Sequence, residues 1–207
     1  AVATAAAPEL GVPAADDFTL LFHGRRFTPG RELQFVCDWF GLPPARVDQW
    51  VRLIRGHQPD IRLPLESARV LLELRQTWRI GVLTNGRPDI QRRKVEALGV
   101  RDFVDAVVFA TECGDGAGKP DRAAFDAVLA ALGVPASLAV FVGDDLDADV
   151  FGARRAGLRT IHVARDASHP LTRPRIRPDA RVSRMADVPR AAERLMGMPG
   201  AQNVHVA

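Results

Sequence analysis

The run Leu138-Ala139-Val140-Phe141-Val142-Gly143-Asp144-Asp145-Leu146-Asp147-Ala148-Asp149 constrains this chain most. A short, continuous apolar segment is the habit of a strand covered on both faces, as in parallel sheets. It ends in a glycine and then four acids within six residues. Open α/β sheets bind ligands at the carboxyl ends of their strands, so the acids stand where chemistry is usually done. Capping the next helix would need one acid, not four. Crowded carboxylates repel one another, and hard oxygen ligands relieve this by taking Mg²⁺ or Ca²⁺.

With 207 residues, the chain can bury a substantial core and carry one domain with an insertion or cap. No apolar run approaches the roughly 20 residues of a membrane helix. The formal charge is +3, and lysine occurs only at Lys94 and Lys119. No basic stripe therefore argues for nucleic acid. The one basic cluster, Arg173-Pro174-Arg175-Ile176-Arg177, reads as a solvated loop. Cys37 and Cys113 are isolated in apolar surroundings, which predicts reduced thiols and a cytoplasmic setting. The alanine-rich segment Ala1–Ala7 lacks the basic flank and hydrophobic centre of a signal peptide.

Two rhythms divide the sequence. Up to about residue 62 the apolar spacing is helical. Ala1–Leu10 and Asp16–Phe22 are short segments. A clearer helix is capped by Thr28 with Pro29 in its first turn, carries Leu33, Val36, Cys37 and Phe40, and stops at Gly41. Another opens near Pro43-Pro44, carries Val47, Trp50, Val51 and Ile54, and stops by Gly56. From Leu63 helices alternate with strands. Strands are expected over 79–83, 106–110, 138–142 and 159–163, with a weak one near 180–183. Helices are expected around Val70–Leu74, Ile90–Leu98, Phe125–Leu132 and Val150–Ala156. Short connections between alternating elements mean right-handed βαβ units in a parallel sheet, an α/β fold of three layers, Rossmann-like in form.

Three strand ends then fall along one sheet edge: Thr84-Asn85-Gly86, Gly118-Lys119-Pro120 and Gly143-Asp144 through Asp149. Thr84 and its neighbouring amides can donate to phosphate oxygens at a helix N-terminus. Lys119 can neutralise a developing oxyanion. Asp144 and Asp149 can hold Mg²⁺ beside it. Thr-Asn-Gly alone is an ordinary turn and a loop lysine alone is ordinarily solvated; their order and placement give them weight.

These motifs resemble those of the haloacid dehalogenase-like phosphohydrolases. That family's second motif is a Thr or Ser closing a strand, here Val82-Leu83-Thr84-Asn85-Gly86. Its third is a Lys before Pro, here Lys119-Pro120, and its fourth is Gly-Asp-x4-Asp, here Gly143-Asp144 through Asp149. The resemblance implies a helical cap over residues 1–62 and an α/β core over 63–207. It implies Mg²⁺-dependent hydrolysis of small phosphorylated metabolites through an aspartyl-phosphate. Thr84, Asn85 and Lys119 are the expected catalytic residues, and Asp144 and Asp149 the expected metal ligands. The Gly-Asp form of the fourth motif is that of the phosphatases, which makes a 2-haloacid dehalogenase the lesser alternative.

The first motif of the family, Asp-x-Asp-x-Thr closing an apolar strand, has no counterpart in this sequence. Asp145-x-Asp147-x-Asp149 belongs to the fourth motif, and Asp16-Asp17-Phe18-Thr19 follows no strand. The expectation is a core lacking its first strand, truncated ahead of Ala1 and without an attacking carboxylate. Such a core is expected to be inactive and, with unpaired strand edges, prone to associate. A module that binds phosphate or a partner without turnover is the competing reading.

Other residues are assigned bland roles. His57 reads as a linker residue, Arg25 and Arg26 as surface, Asp145 and Asp147 as cap or surface, and Trp39, Trp50 and Trp78 as core. Gly114–Lys119 fails as a P-loop because Cys113 stands at the first glycine position and Pro120 at the Ser/Thr. A receiver-type signalling domain is excluded because its acids precede its lysine.

Overall fold

Two apolar patterns of different period organise the chain, and the computed structural model divides it between Pro59 and Asp60 into two compact units. It describes residues 31–164 and 176–197. The segments expected over 1–10 and 16–22, the Thr28 cap, Arg25, Arg26 and Arg173–Arg175 lie outside them.

The first unit holds α1, Glu32–Phe40, and α2, Ala45–Gly56. The i, i+3, i+4 spacing packs Val36 and Cys37, both fully buried, against Trp50. Gly41 ends α1 in a left-handed conformation at φ +64°, and Leu42 N–H closes the turn on Cys37 O at 2.8 Å. Trp39 departs from expectation: it is 57% exposed. It lies off the 33–36–37–40 stripe, and its ring meets Phe35 at 5.8 Å between centroids. Trp50 and Trp78 do join apolar clusters.

The second unit alternates as its sequence predicts. Its order is α3 (Leu65–Leu74), β1 (Gly81–Thr84), α4 (Pro88–Leu98), β2 (Ala106–Phe109), α5 (Arg122–Leu132) and β3 (Val140–Gly143). Then follow α6 (Gly152–Arg155), β4 (Arg159–Val163), β5 (Ala180–Val182) and α7 (Val188–Met196). Every strand pair is parallel, with Val82 opposite Val107, Phe141 opposite Thr160 and Ile161 opposite Ala180. Between β3 and α6 the acids form a π-helical turn, Leu146–Phe151, where the sequence predicts a plain helix.

Among the described residues β1 pairs with β2, and β3, β4 and β5 form a second sheet. Between β1 and β3 runs a slot of about 920 Å³. Val82 and Leu83 line one side and Val140–Val142 the other, while Val70, Leu71 and Leu74 of α3 and Val128, Leu129 and Leu132 of α5 complete the walls. The slot explains a second difference. β3 reads as a fully covered strand, yet all four of its residues are only half-buried. β4, one strand further from the slot, is buried at four of five positions.

The packing on either flank is well formed. Leu83, Phe125, Val128 and Leu129 make one core; Ile161, Val163, Val188 and Ala192 make another. Asp179 fastens β4 to its neighbours. Its carboxylate accepts from Thr160 N–H at 2.8 Å, Thr160 Oγ1 at 2.9 Å and Arg154 Nη1 at 2.8 Å. Burial pushes this carboxyl up, but the Thr160 hydrogen bonds and the Arg154 charge outweigh it and hold its pKa below the usual range.

Candidate active site

The three predicted segments do meet, through Asn85 past β1, Lys119 in the loop after β2 and Asp149 in the turn after β3. Asn85, just past β1, clamps the backbone of Lys119: its Oδ1 accepts from Lys119 N–H at 2.7 Å, and its Nδ2 donates to Lys119 O at 2.9 Å. The clamp requires a glycine beside it. Gly118 sits at φ +72°, and a Cβ there would lie 2.9 Å from Asn85 Oδ1.

The clamp aims Lys119 at the acidic turn. Its Nζ donates to Asp149 Oδ1 at 2.7 Å and lies 5.4 Å from the Phe141 ring centre. The two side chains are only 11% and 6% exposed. Asp149 Oδ2 accepts from the N–H groups of Asp144 and Asp145, each at 3.1 Å. Both Asp149 oxygens are therefore engaged, one by a cation and one by amides. Gly143 allows this closeness, since a Cβ there would fall on the Asp149 carboxylate. Asp145 is the cap of the turn, accepting from Asp147 and Ala148 N–H at 2.8 Å.

Thr84 is oriented rather than free: its Oγ1 donates to Gln91 Oε1 at 3.0 Å. Asp144 is exposed, and its carboxylate meets no partner among the described residues. Its carbonyl lies 3.0 Å from Nε2 of His162, a residue 7% exposed on β4. The Nδ1 of His162 has no partner among the described residues. Sequence reasoning missed His162, Gln91 and Phe141. A histidine inside an apolar strand, and a glutamine seven residues beyond a threonine, carry no local signal of their target.

The donor set bears on the metal. Among the described residues no three His, Cys, Asp or Glu side chains gather where a metal ion could be held. Asp144 offers one open carboxylate, and Asp149 is already charge-balanced. A hard cation wants six or more oxygens, so the residues present do not by themselves fit a Mg²⁺ site.

His57, assigned a linker role, is exposed at the end of α2 with its N–H on Ile54 O at 3.3 Å. Cys37 is buried, Cys113 half-buried, and both are free thiols. No described helix is long and apolar enough to cross a membrane.

Parallel strands with helices between them carry Thr, Asn, Lys and acids near their carboxyl ends, where open α/β sheets bind ligands. Comparison with known proteins agrees. The model of the haloacid dehalogenase-like hydrolases matches residues 34–157, more than half of the sequence. The chain belongs to that family. It is 38% identical over 180 residues to a phosphoserine phosphatase of Thermus thermophilus, covering 79% of this chain and 70% of the relative. It is 41% identical over 103 residues to a ribulose-1,5-bisphosphate 5-phosphatase of Halopiger xanaduensis, covering 50% of this chain and 40% of the relative. Among solved structures, a 2-haloacid dehalogenase from Pseudomonas syringae superposes with a TM-score of 0.58 at 28% identity, over 76% of this chain and 66% of that one. The chain spans less than half the length of several curated relatives that it matches.

Proposed function

We propose that the protein is a Mg²⁺-dependent phosphatase of small phosphorylated metabolites, acting through an aspartyl-phosphate, and that the described residues supply its phosphate-binding groups and one metal carboxylate but not its attacking carboxylate. One observation carries the reading: a buried lysine held at 2.7 Å from Asp149 beside strand ends that present a hydroxyl, an amide side chain and an open carboxylate. The curated relatives with phosphatase names support the reaction class.

In this reading Lys119 supplies positive charge to the non-bridging phosphate oxygens, and the Asn85 clamp fixes where that charge sits. Asp149 places the ammonium by accepting its hydrogen bond. Thr84 turns its hydroxyl from Gln91 to a phosphate oxygen. Asp144 is the carboxylate assigned to Mg²⁺, with its other oxygen donors drawn from outside the described residues and from substrate. No step is assigned to the metal on the residues present. The helical first unit is assigned as the family's cap, the part that selects substrate. A cytoplasmic setting fits the two free thiols.

The test is binding rather than turnover. Inorganic phosphate titrated against the chain and followed by ³¹P line width is expected to broaden saturably with wild type and Gln91→Ala, and to lose the effect in Lys119→Met. Broadening that survives loss of Lys119, in a variant whose circular dichroism matches wild type, contradicts the assignment. Chloride release from 2-chloropropionate, absent on this reading, would favour the dehalogenase alternative.

A further inference from the structure

We propose that His162 is a positioning residue: by holding one peptide plane of the acidic turn, it sets Asp149 and, through Asp149, the Lys119 ammonium. The inference deepens the phosphatase reading and rests on it only for what Lys119 would bind. Its geometry lies within β3, β4 and the turn that follows β3.

β3 ends at Gly143, which lies opposite His162 in the register with β4. The Asp144 carbonyl is therefore one residue past the last paired position of β3. His162 Nε2 reaches it at 3.0 Å. A carbonyl oxygen only accepts, so this hydrogen bond needs the proton on Nε2. The peptide that carries the Asp144 carbonyl also carries the Asp145 N–H, and the unit is planar and trans. That N–H donates to Asp149 Oδ2 at 3.1 Å, and Asp149 Oδ1 accepts from Lys119 Nζ at 2.7 Å. One series of hydrogen bonds thus runs from the imidazole, through a rigid plane and a carboxylate, to the ammonium. Away from water each bond polarises the next.

Stability alone does not account for a histidine at this position. Ile161 and Val163 flank it in β4, both buried in an apolar cluster, and His162 is itself buried. With Nδ1 unpartnered among the described residues, the ring carries a desolvation cost that an apolar side chain would not. What the ring supplies instead is a donor with the reach to meet the Asp144 carbonyl. Without that donor the plane between Asp144 and Asp145 is free to turn. Asp149 Oδ2 then keeps only the Asp144 N–H, which belongs to the preceding plane, at 3.1 Å. A carboxylate held from one side no longer fixes the oxygen that Lys119 meets.

The experiment compares the full chain with His162→Gln, His162→Asn and His162→Leu by two readouts. The first, without ligand, is the amide proton shift of Asp145 together with the carboxyl ¹³C shift of Asp149. The second is the dissociation constant of inorganic phosphate, from ³¹P line width. A Gln amide nitrogen extends from the backbone much as imidazole Nε2 does, and an Asn nitrogen only as far as Nδ1. Leu and Asn are expected to move both resonances and weaken phosphate about tenfold, as for a hydrogen bond lost from a charged network, and Gln to restore both. Resonances unmoved in Leu and Asn overturn the proposal. So do losses that follow the thermal midpoints of the variants rather than donor reach, and a wild-type imidazole ¹⁵N spectrum without a proton on Nε2. If wild type itself binds no phosphate, the phosphatase reading fails, and the Asp145 and Asp149 resonances alone decide for or against His162. Should His162→Leu not fold, Gln against Asn carries the same comparison.

Discussion

Lys119 and Asp149 form a buried ion pair, Nζ to Oδ1 at 2.7 Å, between a loop after β2 and a turn after β3. Thirty residues of chain separate them, so the pair fixes the distance between two strand ends that belong to different sheets. Breaking a buried pair by removing one partner costs about 3–5 kcal/mol, because the other charge is left uncompensated. Lys119→Met and Asp149→Asn are each expected to lower the urea midpoint strongly, and the double variant to fall short of the sum of the two. Additive losses would show that the pair carries no coupling.

Gly143→Ala attacks the same carboxylate through space rather than charge. Its Cβ would occupy the position of the Asp149 side chain, which is also held by the Asp144 and Asp145 amides. The expected destabilisation is about 1–3 kcal/mol, as for overpacking elsewhere, measured by the same denaturation. The matching substitution at Gly56, where a Cβ meets nothing within 4 Å, serves as the control.

Asp179 predicts an acid limb. Its folded pKa lies below the ordinary value, so the stability it adds is present above the unfolded pKa of about 3.9 and is lost as pH falls through the folded value. Asp179→Asn should therefore trail wild type fully at neutral pH and converge on it as pH falls below that of an ordinary carboxyl. A gap that stays constant to the lowest accessible pH would remove the charge from the explanation.

Cys37 reports on the first unit. Burial, with the nearby Asp38 charge, pushes its thiol pKa up, and the side chain has no exposed surface. A thiolate-seeking reagent should modify half-buried Cys113 first and Cys37 only at the rate at which α1 and α2 open. Equal rates in the absence of denaturant would mean that the two helices do not hold their core.

The elements were legible where local chemistry decides them. Gly41, Gly99 and Gly133 each end a helix in the left-handed conformation, as their placement after apolar stripes predicts, and β4 spans Arg159–Val163 as expected. The meeting of Asn85, Lys119 and Asp149 was legible too, because each follows a strand of the alternating βαβ series. What the sequence withheld is long-range. Nothing local shows that His162 reaches the carbonyl of Asp144 across a strand. Trp39 was misjudged because hydrophobicity was read without its angle on the helix.

The central claim is a phosphate site without its attacking carboxylate, and phosphate release tests it most directly. The 207-residue chain should be incubated with Mg²⁺ and phosphoserine, glyceraldehyde 3-phosphate and a nucleoside 5′-monophosphate, and free phosphate followed with malachite green. The account predicts release no faster than buffer for all three. Robust Mg²⁺-dependent hydrolysis that disappears in Asp16→Asn or Asp17→Asn would contradict it and place the attacking carboxylate within this sequence.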